Sequence, residues 1–130
     1  MTGCLIRKVE NMLSSTEMAK AAVKALDSKK AHEIKLLKTR DVTTLADYFV
    51  ICTATSTTQV KTLSDVVEKS LEEIGEKPLR REGYSNGGWV LVDFGCIVVH
   101  IFMDETRKFY SLEHLWSDAE DVDISDIVTD

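Results

Sequence analysis

The tripeptide Asp93-Phe94-Gly95 spells the magnesium-binding signature of protein kinases. No glycine-rich phosphate loop precedes it, and 130 residues are far too few for that fold. A turn between two strands explains the glycine. Cys96, His100 and His114 are the soft-ligand residues that lie close in sequence, yet none of the short paired spacings of zinc sites occurs among them. Ser56 is a nucleophile only if a histidine and an aspartate converge on it, and helix capping already accounts for a serine there. No P-loop, dinucleotide fingerprint or His-Glu-x-x-His occurs. A metal-dependent transferase needs two or three acids around one cation, and Asp41, Asp47, Asp65 and Asp93 are spread along the chain without announcing such a site. The chain is therefore expected to hold no catalytic residue, no metal and no cofactor, and not to be an enzyme.

The other chemistry on offer is recognition. Tyr84, Trp89, Phe94, Phe102, Phe109, Tyr110 and Trp116 crowd the last third of the chain. Strand alternation puts Trp89, Leu91 and Asp93 on one face and Val90, Val92 and Phe94 on the other. Tyr84, Trp89 and Tyr110 each combine apolar area with a polar tip, which suits residues buried when a partner arrives. Trp89, next to Gly87-Gly88, serves equally as a core residue or as a partner anchor. Arg107 and Lys108 are expected to be exposed and to pair with acids on the partner. The candidate partner-binding set is Tyr84, Trp89, Leu91, Asp93, Arg107 and Tyr110. Its docking surface is expected over the 84-to-94 strand region and the start of the final helix.

The elements that must position these residues are legible from pattern. Ser14-Ser15-Thr16-Glu17 has capping-box spacing, and Ala19, Ala22, Val23 and Leu26 form an apolar stripe, so a helix is predicted to run to about Lys30. Ile34 and Leu36 alternate with charges, as in a strand with one wet face. Tyr48 to Cys52 is continuously apolar, as in a central strand covered on both faces. Ser56-Thr57-Thr58-Gln59 repeats the capping-box spacing ahead of Val60, Leu63, Val67, Leu71 and Ile74, with Gly75 as the stop and Pro78 beyond. Leu79–Tyr84, Trp89–Phe94 and Ile97–Phe102 then predict an antiparallel meander. A last helix is expected over Arg107–Trp116, capped by Asp104 or Thr106. The order αββαβββα predicts a single α+β domain, a mixed sheet of about five strands with helices packed on it.

Length, hydrophobic content (44%) and charged content (29%) fit one globular domain. No apolar run reaches the roughly 20 residues of a membrane span, and the opening lacks a secretory pattern, so a cytoplasmic protein is expected. Cys4, Cys52 and Cys96 are odd in number and widely spaced, which predicts reduced thiols. The net charge of −6 is uneven: residues 113 to 130 hold seven acids and no Lys or Arg, leaving 15 acids against 16 bases in the rest. A nearly neutral body predicts little direct nucleic-acid contact. The acidic end, residues 118–130, is expected to be a mobile tail.

One set of residues in order resembles the ribosomal silencing factors, the RsfS/Iojap family: Asp47-Tyr48-Phe49-Val50-Ile51, Ser56 opening a helix, Glu82-Gly83, Trp89, Asp93-x-Gly95, Val99-His100, Arg107-x-x-Tyr110 and Leu112-Glu113-x-Leu115-Trp116. The resemblance covers residues 17–117, leaving 1–16 as an N-terminal extension. It implies a nucleotidyltransferase-like fold without that activity. It also implies a translation repressor that binds the large ribosomal subunit through ribosomal protein L-fourteen and blocks joining of the small subunit. The alternatives are a nucleotidyltransferase-like enzyme and a homodimeric module with another partner; a homodimer of the free protein is also expected from an apolar docking face. Cys96 and Lys38 stand where the family usually carries Asp.

Overall fold

The computed structural model describes residues 14–43, 46–84, 88–110 and 118–128, the side chains of Phe109 and Tyr110 excepted. The first helix, α1 (Ser15–Ser28), starts on the predicted capping box: the Ser14 hydroxyl accepts from the Glu17 N–H at 3.1 Å, and the Glu17 carboxylate accepts from the Ser14 N–H at 3.4 Å. Its buried stripe, Met18, Ala19, Ala22, Val23 and Leu26, packs on a sheet. The second helix, α2 (Thr57–Glu73), is capped by Ser56, which accepts from the Gln59 N–H at 3.0 Å. Gln59 does not complete a reciprocal box on Ser56. Its carboxamide oxygen accepts from the Thr55 N–H at 2.6 Å, and its nitrogen donates to the Lys29 and Lys30 carbonyls at 3.3 Å each, tying the start of α2 to the end of α1. Gly75, at φ +90°, closes α2 with the Glu76 N–H on the Leu71 carbonyl at 2.9 Å.

Six strands form one sheet in the order β3-β4-β5-β2-β1-β6: β1 (His32–Lys38), β2 (Tyr48–Ala54), β3 (Arg80–Glu82), β4 (Trp89–Asp93), β5 (Ile97–Met103) and β6 (Glu120–Asp121). β2 and β5 are parallel, in register from Tyr48↔Ile97 to Ala54↔Met103; every other pair is antiparallel. All seven residues of β2 are buried, as its unbroken apolar run predicts. β3, β4 and β5 form the predicted meander. The final helix, α3, spans Asp104–Tyr110, so Asp104 lies inside it and not before it; the predicted continuation to Trp116 falls outside the described residues.

Both faces of the sheet carry apolar clusters. α1 and α2 cover Leu36, Val50, Cys52, Val90, Val92, Val99 and Ile101. The opposite face gathers Leu37, Ala46, Phe49, Ile51, Val98 and Phe102, all at most 8% exposed. The single wet face predicted for β1 is therefore corrected: Leu37 is buried in this second cluster. Cys96 is buried and disulfide-bonded, which corrects the expectation of three reduced thiols. Cys52 is a free buried thiol, its pKa pushed up to about 12 by burial against a lesser opposing pull from Arg107. Cys4 lies outside the described residues.

The acidic end does not run free of the body as the charge pattern predicts. β6 pairs with β1 (Leu37↔Asp121, Lys38↔Glu120), the Val122 N–H donates to the Leu36 carbonyl at 2.8 Å, and Val122, Ile124, Ile127 and Val128 pack on the main core. Lys35 reaches Asp121 at 3.3 Å, and Lys38 stands opposite Glu120, so part of the acid run answers the two lysines of β1. Lys38 thus fits the acidic strand beside it. The order of elements gains a sixth strand that composition concealed, because hydrophobic residues spaced among acids look like a solvated segment. Deleting residues 118–130 should lower the melting temperature by on the order of 5–10 °C; an unchanged midpoint by scanning calorimetry would show that β6 contributes nothing to the fold.

Candidate functional site: the Trp89 face and the Arg107 anchor

Gly83 fixes how the β3–β4 hairpin closes. It adopts φ +82°, and a Cβ there would come within 2.1 Å of the Trp89 carbonyl oxygen, so any side chain would push Trp89 out of place. At the other end of the strand, the Asp93 carboxylate accepts from the Gly95 N–H at 2.8 Å and from the Arg80 Nε at 3.1 Å. These bonds stabilise the turn that the kinase-like tripeptide occupies. Asp93 is therefore engaged within its own hairpin.

Between these two ends, Trp89 and Leu91 project onto the face opposite the helices, half-buried against the second cluster. Trp89 stacks on Phe102 with ring centroids 4.9 Å apart and donates from Nε1 to His100 Nδ1 at 3.2 Å. His100 is 4% exposed, and Phe49 meets it edge-on at 5.0 Å. Accepting at Nδ1 makes the neutral ring carry its proton on Nε2, which has no hydrogen-bond partner among the described residues. Burial lowers the His100 pKa from 6.5 to about 4, against a lesser opposing pull from Asp93. A tryptophan that is neither core nor free surface, fixed by a neutral histidine, is what this face offers.

Tyr84 is not part of it. Its hydroxyl donates to Asp65 of α2 at 3.1 Å, and its ring lies under the Arg81 guanidinium at 3.9 Å, on the helix side of the sheet. The hydrogen bond to Asp65 is the main cause that raises its pKa. Arg81 also bridges Asp65 and Glu68. Tyr84 and Trp89 therefore point to opposite sides, a separation that their closeness in sequence hides.

Arg107 overturns the expectation of an exposed steering charge, for it is 5% exposed. It donates to the Glu33 carbonyl at 2.8 Å and to the Thr53 hydroxyl at 2.7 Å. Glu33 is a non-glycine residue at φ +48°, at an irregularity of the β1–β2 pairing, and Arg107 holds it there. Lys108 is exposed but paired with Asp104 at 3.1 Å. The Tyr110 side chain lies outside the described residues. Above the carboxyl ends of β2 and β5 opens a cavity of about 760 Å³, walled in part by Glu33, Thr53, Thr55, Asp104, Glu105 and Thr106. Nothing in the periodicity of the sequence marks these residues as neighbours. Among the described residues, no group of three or more His, Cys, Asp or Glu is placed to hold a metal ion.

The six-stranded mixed sheet with apolar clusters on both faces and helices packed on it defines a small α+β domain. The chain belongs to the family of ribosomal silencing factors: the family profile described as ribosomal silencing factor during starvation matches residues 12–130, taking in the acidic end that the spaced motifs left out. It is 37% identical to the ribosomal silencing factor RsfS of Halalkalibacterium halodurans over 117 residues, 90% of this chain and 100% of that protein. A crystal structure of a Chromobacterium violaceum protein superposes with a TM-score of 0.79 at 36% identity, covering 81% of this chain and 88% of that one. The mouse protein named mitochondrial assembly of ribosomal large subunit protein 1 is 31% identical over 98 residues, 73% of this chain and 43% of that protein.

Two measurements check this geometry. Arg107→Leu should lose about 1–3 kcal/mol of unfolding free energy, since it strands the buried Thr53 hydroxyl and the part-buried Glu33 carbonyl; a loss below the scatter of urea melts would place the guanidinium in solvent. The depressed pKa of His100 means that the unfolded chain binds its proton more readily between pH 6.5 and about 4. Stability from this residue is complete above that window and is lost as pH falls through it. The urea midpoint should therefore drop more steeply from pH 7 to pH 4.5 in the wild type than in His100→Phe, and parallel profiles would refute a neutral buried His100.

Proposed function

We propose that the protein represses translation by docking on the large ribosomal subunit through ribosomal protein L-fourteen and blocking the approach of the small subunit by its bulk, without catalysis. The observation that carries this reading is membership of the ribosomal silencing factor family along residues 12–130. The name of the mouse relative, which refers to assembly of the ribosomal large subunit, favours the same subunit. The docking surface proposed is the Trp89–Leu91 patch, where an aromatic anchor sits half-buried beside fixed neighbours. Arg107 acts from beneath as a positioning residue, holding the ends of β1 and β2. Tyr84, turned toward α2, has no part in this contact.

The net charge of −6 favours a contact with protein over one with phosphate. On this reading the protein works in the cytoplasm; no helix among the described residues is long and apolar enough to cross a membrane. The same patch gives the free protein a means of pairing with a second copy. A nucleotidyltransferase activity has one feature in its favour, the cavity over the ends of the parallel strands. Such a transferase needs acids converging on a cation, and among the described residues the cavity's carboxylates, Glu33, Asp104 and Glu105, form no group placed to hold one.

Sedimentation of purified subunits with and without the protein tests the mechanism: bound protein should leave the subunits separate, and equal association in both cases would sink it. Trp89→Ala should weaken large-subunit binding by at least ~2 kcal/mol, roughly 30-fold. It should cost less stability than Leu63→Ala, whose side chain is fully buried. Tyr84→Ala should bind as the wild type does. Normal binding by Trp89→Ala would put the docking surface elsewhere.

A further inference from the structure

At the edge of the sheet remote from Trp89, β6 is the last strand, and the side turned away from β1 has no strand beside it among the described residues. A groove of about 310 Å³ opens where β6 leaves the sheet. Its floor is apolar: Ile34 of β1 with Val122, Ile124 and Val128 of the C-terminal segment, each only partly buried although packed on the core. Its rim is acidic. Asp121 and Asp123 line it, Glu120 and Asp126 stand exposed next to it, and Lys35, the one cation among the described lining residues, already meets Asp121 at 3.3 Å.

We propose that this groove docks a basic, extended polypeptide segment of a partner, with alternate apolar side chains on Ile34, Val122, Ile124 and Val128 and intervening Lys or Arg side chains along the acidic rim. An extended segment is favoured because the groove borders a strand edge, whose outward backbone groups suit addition of another strand. A period-two segment presents apolar residues to one side and charges to the other. Charge complementarity selects the occupant: the rim repels nucleic acid and a second copy's acidic end, and attracts a cationic chain. The groove lies four strands away from β4 in the sheet, so it provides a contact separate from the Trp89 patch.

The experiment titrates the full chain into two labelled synthetic peptides of equal length, one alternating Lys and Val and one alternating Glu and Val, followed by fluorescence anisotropy at low and physiological salt. The Lys-Val peptide should bind, more weakly as salt rises, and the Glu-Val peptide should not. Two variants locate the contact. Asp126→Lys reverses one exposed side chain beside the groove, away from the β1–β6 pairing, and should weaken binding severalfold with an unchanged melting temperature. Val128→Ser should weaken it severalfold, with a melt run in parallel to confirm that the C-terminal segment stays packed. The proposal is overturned if the Lys-Val peptide fails to bind, if both peptides bind alike, or if the charge-reversed protein binds as the wild type does. Large-subunit binding through Trp89 is read separately and does not bear on these outcomes.

Discussion

The structure depends on burying both faces of the parallel pair β2 and β5. β2 is buried at all seven positions and β5 at six of seven, so neither strand presents a face that water can cover. A sheet with such a centre needs apolar cover above and below. α1 and α2 supply it on one side, and the elements around them are joined at their ends through Gln59, which links the start of α2 to the last carbonyls of α1. On the other side lies the cluster of Leu37, Phe49, Ile51, Val98 and Phe102. That second burial requirement makes β1 a two-faced strand and leaves its outer edge for β6.

The same requirement shapes the candidate site. His100 falls on the second face by alternation along β5, and burial there keeps it neutral. A neutral imidazole accepts the indole N–H of Trp89 across the β4–β5 ladder, which fixes the tryptophan at the rim of the cluster. Trp89 is therefore held by the core without being enclosed by it. Arg107 plays the corresponding part at the end of the parallel pair, where strand ends leave carbonyls that need donors. Its guanidinium, planar and permanently charged, meets the Glu33 carbonyl and the Thr53 hydroxyl with one nitrogen. The cavity beside it is bounded by chain segments whose positions this bond helps set.

Charge is organised by the same geometry. The acids of the C-terminal segment are partly matched by Lys35 and Lys38 on the neighbouring strand, while its apolar residues turn inward. Net charge alone made this segment resemble a solvated tail. Alternating apolar residues in an acidic stretch can instead describe an edge strand, where the exposed side is free to be charged.

Local signals in the sequence determined the helix starts at Ser14 and Ser56, the stop at Gly75, the buried character of β2 and the meander from β3 to β5. Each rests on neighbours within a few residues, through caps, periodicity and turn chemistry, so it can be read without knowing the fold. The spaced motifs also sufficed for the family, now shown along residues 12–130. What only the tertiary structure decided is which residues meet: Arg107 with Glu33 and Thr53, Trp89 with His100, Tyr84 with Asp65, and β6 with β1. Charge and amphipathic character do not say whether a side chain lies in solvent or satisfies a distant backbone group. That choice is made by the sheet order, which brings together segments up to 86 residues apart, as Lys35 and Asp121 are.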